Sequence, residues 1–282
     1  MSGLADFAGR WFVVKLGGEL ALDPVKLAAS VGVAVRAFLD AGIRVAVIHG
    51  GGPQATELTE RLGLVPRLVG GRRVTDAATL EVMKMTLAGQ VSVNVAAAFR
   101  RAGVPALCTT GVSAGLIEAV KRPPRVVSGA GAEPVDLGLV GDVSSVQVEA
   151  FEKLAAAGFV PVLGSLSGDA EGNVFNINAD TVATRVAARL GAAKLFLVSN
   201  VPGVLADRTD ATTRIPTLTS AEARAKIVSG VIQGGMIPKV EESLAMLEEG
   251  IGAIHIVGIS PPGAMLEEAQ LAGSLGTAFL RG

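Results

Sequence analysis

Tyrosine is absent from this 282-residue sequence, and cysteine occurs once, at Cys108. A single cysteine excludes a disulfide framework and a thiolate metal cluster, and no protein-bound metal site is expected. Positive charge is not in surplus: 25 Lys and Arg stand against 26 Asp and Glu, for a net charge of −1 and a pI near 6.2. With tyrosine also missing, that balance leaves no nucleic-acid footprint. Nor is there a long apolar run. The longest stretch free of Asp, Glu, Lys and Arg, Gly250 to Leu266, carries His255, Pro261 and Pro262 and does not read as a spanning helix. Asp6 and Arg10 interrupt any apolar segment at the N-terminus, so no signal peptide is read. A cytoplasmic protein without a membrane partner is expected.

What the chain does have is apolar bulk. Half of its residues are hydrophobic, 18% are charged, and mean hydropathy is +0.51. At this length that fills one large α/β domain or two lobes sharing a sheet. Arg10 to Glu19, RWFVVKLGGE, sets the pattern. Trp11 to Val14 read as a strand covered on both faces, and Lys15 strains that reading, because a buried ammonium needs an anion to meet it. Gly17 and Gly18 follow, and residues without Cβ let a ligand approach backbone N–H groups. For this stretch alone two readings stand: a phosphate site, or a lysine whose stem runs past the strand end to water before an ordinary glycine turn.

The same order recurs downstream. Pro24 to Ala41 reads as an amphipathic helix ended by Gly42. Ile43 to Ile48 reads as an apolar strand running into His49-Gly50-Gly51-Gly52-Pro53, ahead of a helix from Gln54 to Leu62. Free N–H groups and the helix dipole at such a turn favour an anion. Thr75 or Asp76 is placed to cap a long helix, Ala77 to Arg101, and Pro105 to Thr110 reads as a strand. Arg122 to Asp142, rich in Pro and Gly, reads as a hairpin-like excursion, followed by a helix from Val146 to Ala157 and a strand from Phe159 to Leu163. Ser165 to Asn173 is the most loop-like segment, and a boundary between lobes 1–168 and 169–282 is placed there. Strands at Lys194 to Ser199, Ala253 to Val257 and Thr277 to Leu280 then alternate with helices ending at Leu190 and spanning Ser220 to Val228, Val240 to Glu249 and Gly263 to Ala272. Such alternation means an α/β fold with a mainly parallel sheet covered on both faces.

Ligands of such sheets sit beyond the carboxyl ends of the strands. Three glycine turns fall there, Gly17-Gly18, Gly50-Gly51-Gly52 and Pro202-Gly203, and none fits G-x-x-x-x-G-K-[ST] or G-x-G-x-x-G. Together with Lys15 and Lys239, each close to a glycine pair, they point to phosphate handling. Asp180 reads either as a helix N-terminal carboxylate, stabilised by about 0.3–1 kcal/mol, or as the group that holds both lysines on a transferring phosphoryl group. At about 4 Å and an effective dielectric near 20, unit charges interact by roughly 4 kcal/mol, so the second role is the weightier one. Asn176 and Asn178 are turn formers or, alternating with Ile177, paired contacts to one ligand. His49 reads as ordering its turn, His255 as structural, Cys108 as a small core residue, and Trp11 and Phe12 as core or interface residues. Arg72 is open between solvent and site.

In this order and at these separations, VVKLGGE, IHGGGPQ, GRRVTDAATLEVMKMTLAGQV, NINAD, LVSNVPGVL and GGMIPK resemble the amino acid kinase superfamily, and within it the branch that phosphorylates N-acetyl-L-glutamate. The likeness runs from about Trp11 to Leu280. It implies a three-layer αβα sandwich around a mainly parallel central sheet. It also implies transfer of the γ-phosphoryl of ATP, with Mg2+ as cofactor, to the side-chain carboxylate of N-acetyl-L-glutamate in arginine biosynthesis. By motif, Lys15 and Lys239 match the lysines that stabilise the transferring group, and Asp180 the carboxylate that organises them. Gly17 and Gly18 match the phosphate side, Gly51 and Gly52 the acceptor side, Arg73 the grip on the acceptor's α-carboxylate, and Asn176 and Asn178 further acceptor contacts. Asn200, Val201, Pro202, Gly203, Val204, Leu205, Gly234, Gly235 and Met236 match the nucleotide pocket. The resemblance puts acceptor binding and dimerisation in 1–168 and nucleotide binding in 169–282. It requires no general base, since the acceptor carboxylate is already anionic and catalysis reduces to alignment and charge neutralisation.

Two departures from the family pattern bear on function. Asn200 stands where members usually carry Asp, and S-N-V-P-G also resembles kinases that act on aminoadipate bound to a carrier protein. That carrier-bound acid, aminoadipate or glutamate, is the alternative substrate, while NINAD and HGGGPQ resemble the acetylglutamate branch. A non-catalytic amino-acid sensor of the same fold is a further alternative, against which Lys15, Asp180 and Lys239 are all retained. Arginine-inhibited members carry a longer N-terminal helix that joins dimers into hexamers, whereas only Met1 to Gly9 precede this first strand. A homodimer is therefore expected, with a hexamer as the alternative. Glu268 and Gly276-Thr277 resemble part of the arginine-site pattern, but Ser274 replaces its usual glycine.

Overall fold

A computed structural model describes residues 3–127, 131–207, 209–233 and 236–281, with Ala211, Met236, Pro238 and Lys239 described in their backbone only. Its centre is an eight-stranded sheet. In chain order the strands are Trp11–Leu16 (β1), Arg44–His49 (β2), Ala106–Thr110 (β3), Val160–Gly164 (β4), Lys194–Ser199 (β5), Thr217–Thr219 (β6), Ala253–Gly258 (β7) and Gly276–Leu280 (β8). Across the sheet they run β6-β8-β7-β5-β1-β2-β4-β3. Neighbours are parallel except β7 and β8, so β8 and the edge strand β6 run against the rest. The α/β sandwich and its mainly parallel sheet are as the sequence implies.

Alternation along β1 sorts the two covering layers. Trp11 and Val13 point into one apolar cluster with Val182, Val186, Leu195 and Leu244, beneath helices Ala179–Arg189 and Met236–Glu248. Phe12, Val14 and Leu16 point into the other, with Phe38, Val95, Phe99 and Met265. Helices over 24–40, Ala77–Arg101 and Ala264–Gln270 cover that face. Ala77–Arg101 has the length and hydropathy of a membrane span, but half of that window is buried within the protein. It widens into π turns at Met85–Val91, where Leu87 and Val91 press against the backbone of Gly51.

Two stretches differ from the sequence reading. Leu166–Gly168, within the segment read as loop, is a buried strand, and only the turn from Asp169 to Asn173 leaves the protein surface. It joins Val174–Asn176, Ile117–Lys121 and Gly141–Val146 in a second, four-stranded sheet. The excursion read between Arg122 and Asp142 leaves that sheet after Ile117–Lys121 and rejoins it at Gly141–Val146, and within it Arg125–Val126 and Pro134–Val135 pair antiparallel as a separate two-stranded sheet. The edge strand β6 was not read at all: three residues between Pro216 and a helix at Ser220 are too few to show a period.

Both histidines are fully buried, as structural residues are. His49 places Nδ1 3.1 Å from the Gly50 carbonyl and Nε2 3.1 Å from Ser92 Oγ, and burial pulls its pKa down to about 4. His255 Nδ1 lies 2.8 Å from Glu268 Oε1, and burial lowers its pKa as well. Glu268 also accepts from the amides of Gly273, Leu275 and Gly276. Burial alone would raise its pKa, yet those hydrogen bonds leave it below the ordinary range. Each shift has the same sign for stability. A histidine kept neutral in the fold binds a proton more readily once unfolded, so its contribution is complete above about 6.5 and is lost as pH falls toward the folded value. Unfolding free energy should therefore hold between pH 8 and 7 and drop between pH 6.5 and 4, by about 3 kcal/mol for His49 in the limit. Urea titrations followed by circular dichroism at those pH values check it, and an unchanged midpoint at pH 4.5 would refute it. Cys108 is half-buried on β3, its thiol pushed up to about 11, which leaves it protonated and inert near neutrality.

Candidate active site

The cleft opens at the carboxyl ends of β1 and β2, where the chain leaves the sheet through glycine turns, and Ser165 reaches it from the end of β4. Lys15 continues the alternation of Trp11 and Val13 and so faces the layer that holds Ala179–Arg189. Asn178 caps that helix, its Oδ1 accepting from the Asp180 amide at 2.7 Å. The cap turns the Asp180 carboxylate toward the sheet, and Lys15 Nζ meets its Oδ1 at 3.0 Å. The side chains keep 17% and 34% of their exposure, so the pair sits at the cleft wall rather than in the core. Asp180 thus stands in a first helical turn and pairs with Lys15.

The two glycine turns touch. Leu16 lies beside His49 in the parallel ladder, and the Gly50 amide donates to the Leu16 carbonyl at 3.2 Å. A Cβ built on Gly18 would stand 2.8 Å from the Cα of Gly51, and one on Gly51 would stand 2.8 Å from Leu87 Cδ2. No side chain fits at either place. Gln54, buried on the first turn of helix Gly52–Arg61, donates from Nε2 to the Gly18 carbonyl at 2.6 Å. The sequence reading gave Gln54 no role; the only signal was a polar residue where the first helical turn should face inward.

The far end of the cleft is basic. Arg73, on the two-residue strand Arg72–Arg73, donates from Nη2 to Thr56 Oγ1 at 2.6 Å and to the Gly52 carbonyl at 3.2 Å. Its Nη1 is buried with no partner among the described residues, and burial lowers its pKa. Opposite, Asn176 Nδ2 donates to the buried Thr75 Oγ1 at 3.1 Å, and Ser165 joins the wall. Arg72 lines the cleft too, and with it come Arg122 and Arg125 from the excursion beyond Ile117–Lys121.

One cleft of about 400 Å³ thus gathers Lys15, Gly17, Gly18, Gly51, Gly52, Arg73, Asn176, Asn178 and Asp180 from among the residues read in the sequence. Asn200 to Leu205 do not line it. They follow β5 at the same edge of the sheet, where Val204 is wholly buried and its amide donates to Thr277 Oγ1 at 2.9 Å. Leu205 is buried as well and bridges to Arg214, and the Val204 carbonyl accepts from the Ile215 amide at 2.9 Å. Gly234 and Gly235 lie outside the described residues, as do the side chains of Met236 and Lys239. The backbone of both belongs to helix Met236–Glu248, whose Glu242 reaches the cleft. Glu242, Arg122 and Arg125 were missed because no local pattern singles them out.

Comparison with known proteins agrees with this arrangement. Residues 10–258 match the amino acid kinase family. A protein of Sorangium cellulosum named acetylglutamate kinase is 53% identical over 268 residues, covering 95% of this chain and 94% of its own length. One of Anaeromyxobacter dehalogenans with the same name is 47% identical, covering 95% and 98%. Among solved structures, N-acetylglutamate synthase of Neisseria gonorrhoeae superposes with a TM-score of 0.80 at 23% identity, covering 99% of this chain and 61% of that one. Giardia lamblia carbamate kinase gives 0.64 at 14% identity over 97% and 99%. At those identities the two structures speak for the fold alone. The identity to the curated relatives, over nearly the full length of both partners, speaks for descent: the chain belongs to the amino acid kinase family, on its acetylglutamate kinase branch.

Proposed function

We propose that the cleft transfers the γ-phosphoryl group of ATP to the side-chain carboxylate of N-acetyl-L-glutamate, giving an acyl phosphate and ADP as a step of arginine biosynthesis. One observation carries the reading. The Lys15–Asp180 pair stands at one end of a cleft whose other end holds a guanidinium with a buried nitrogen that has no partner among the described residues. The near end suits a phosphoryl group in flight, and the far end suits a fixed carboxylate. The shared name of relatives 45–53% identical selects the free acetylated amino acid over a carrier-bound acid.

In this reading the acceptor lies with its α-carboxylate on Arg73 and its acyl group near Asn176 and Asn178, which leaves its side-chain carboxylate between the glycine turns. The Gly18 amide receives the phosphates, while Gly17, whose own amide donates to the Val198 carbonyl at 3.2 Å, shapes that turn; the amides of Gly51 and Gly52 take the acceptor end, and Asn200 to Leu205 with Gly234 to Met236 serve the nucleotide. Lys15 and Lys239 neutralise the charge that spreads over the transferring group, while Asp180 holds Lys15 in line. Lobe 1–168 would then carry the acceptor and 169–282 the nucleotide. Mg2+ bound through one or two carboxylates keeps most of its ligands from phosphate and water. No group of three metal-holding side chains occurs among the described residues, and a metal that arrives on ATP needs no more than one or two carboxylates, such as Glu19, which lines the cleft with Asp180. When bound, it offsets phosphate charge. A cytoplasmic homodimer is the working assembly in this proposal, and sedimentation equilibrium separates it from a hexamer.

The experiment is direct. With MgATP, the protein should form a hydroxamate-trappable acyl phosphate from N-acetyl-L-glutamate and little from glutamate or aspartate. Product only from a carrier-bound aminoadipate or glutamate would replace the acceptor, and product from none of these would leave a sensor.

A further inference from the structure

Like charges crowd the acceptor end beyond what one carboxylate accounts for. Arg72, Arg73, Arg122 and Arg125 all line it. Arg122 is buried and already answered: Nε and Nη2 both bond Asp142 Oδ1, at 3.0 and 2.6 Å. Arg73 has one nitrogen to spare. The Arg125 side chain makes no hydrogen bond or ion pair among the described residues, and its partial burial together with the repulsion of Arg122 and Arg72 lowers its pKa, with Asp142 acting against them.

An apolar cluster holds these charges together. Val127, Leu137 and Val140 are buried against Val69, Val74 and Val135, which pins the strand bearing Arg125 to the hairpin bearing Arg72 and Arg73. The close approach of Gly138 to the Thr75 carbonyl closes the same junction, since a Cβ there would stand 2.4 Å from that oxygen. Packing of this kind, not chance on a mobile surface, keeps a free guanidinium beside the cleft. Such an excess of positive charge is relieved by a bound anion.

Resting on the reading above, we propose that Arg125 is a second ligand of the acceptor's α-carboxylate, sharing it with Arg73 and setting the requirement for that group. Two oxygens with about four acceptor sites accommodate both guanidinium groups. The other carboxylate of the acceptor, turned toward Lys15, is left free to react.

The test compares Arg125→Gln and Arg125→Lys with wild type on N-acetyl-L-glutamate and on its α-amide. Arg125→Gln should raise KM for N-acetyl-L-glutamate by about tenfold to a hundredfold, the range for one charge-assisted hydrogen bond. KM for ATP and kcat should stay within about twofold, and Arg125→Lys should fall between. On the α-amide, wild type and Arg125→Gln should differ by less than about threefold, because the partner of Arg125 is gone. An equal penalty on both acceptors, or none on either, overturns the assignment. If wild type forms no acyl phosphate from N-acetyl-L-glutamate, the functional reading falls first and this assignment falls with it. Arg125 is exposed on a two-residue strand, so a thermal melt of each variant should match wild type.

Discussion

Replacing Lys15 by methionine should lower kcat by about a hundredfold to a thousandfold, the usual cost of removing one preorganised donor from a transition state. Methionine keeps the length of the stem between Leu16 and Val14, so the strand and its neighbours have no reason to move. What disappears is the charge. In the ground state that charge is drawn to Asp180 at 3.0 Å; during transfer, negative charge spreads over the phosphoryl oxygens and draws on it more strongly. The loss should therefore appear in kcat, with KM for either substrate changed only a few-fold. Asp180→Asn should cost less, because an amide at that place still accepts a hydrogen bond from Lys15. The double variant should be no slower than Lys15→Met alone if Asp180 acts only through the lysine. A rate within about tenfold of wild type for Lys15→Met would remove the residue from the mechanism.

Much of this site could be read along the chain because its signals are local and conflict with their surroundings. A lysine after four apolar strand residues, glycines at two strand ends and a carboxylate in a first helical turn each break a pattern, and parallel topology brings strand ends together by rule. The acceptor wall is different. Arg122 and Arg125 look like any exposed basic residues beside prolines, and their place depends on Val127 and Leu137 packing against Val69 and Val74 from a hairpin more than fifty residues upstream. Leu166–Gly168 was lost for a related reason. Its strand is three residues long and flanked by Ser, Gly and Asp, yet pairing with Ile117–Lys121 and Val174–Asn176 buries it completely. Tertiary pairing overrides weak local preference there. The segment proposed for the nucleotide shows the opposite case: LVSNVPGVL is legible as a motif, but the burial of Val204 and Leu205 is set by contacts with Arg214, Ile215 and Thr277 far along the chain.

The other large effect belongs to the backbone. Gly18→Ala should lower kcat/KM by about a hundredfold, because displacing reacting groups by an ångström can cost that much. The new methyl would meet Gly51 Cα at 2.8 Å, Gly51 N at 3.1 Å and Gln54 Oε1 at 3.0 Å. Two of those three contacts are backbone, so no rotamer change relieves them. Gly51 cannot retreat, since Leu87 and Val91 already fill the space behind it. The turns must then part, which breaks the Gly50 to Leu16 hydrogen bond and moves amides of both the phosphate and acceptor sides. Gln54→Met probes the same junction more gently. It removes the hold on the Gly18 carbonyl, together with a buried Oε1 that has no partner among the described residues, without adding bulk to the turn. A drop of about tenfold is expected there, the value of one neutral hydrogen bond, with the melting temperature nearly unchanged. The ranking is the test. If Gly18→Ala stayed within threefold of wild type while Gln54→Met was slow, contact between the turns would not set the distance between donor and acceptor, and the glutamine side chain would.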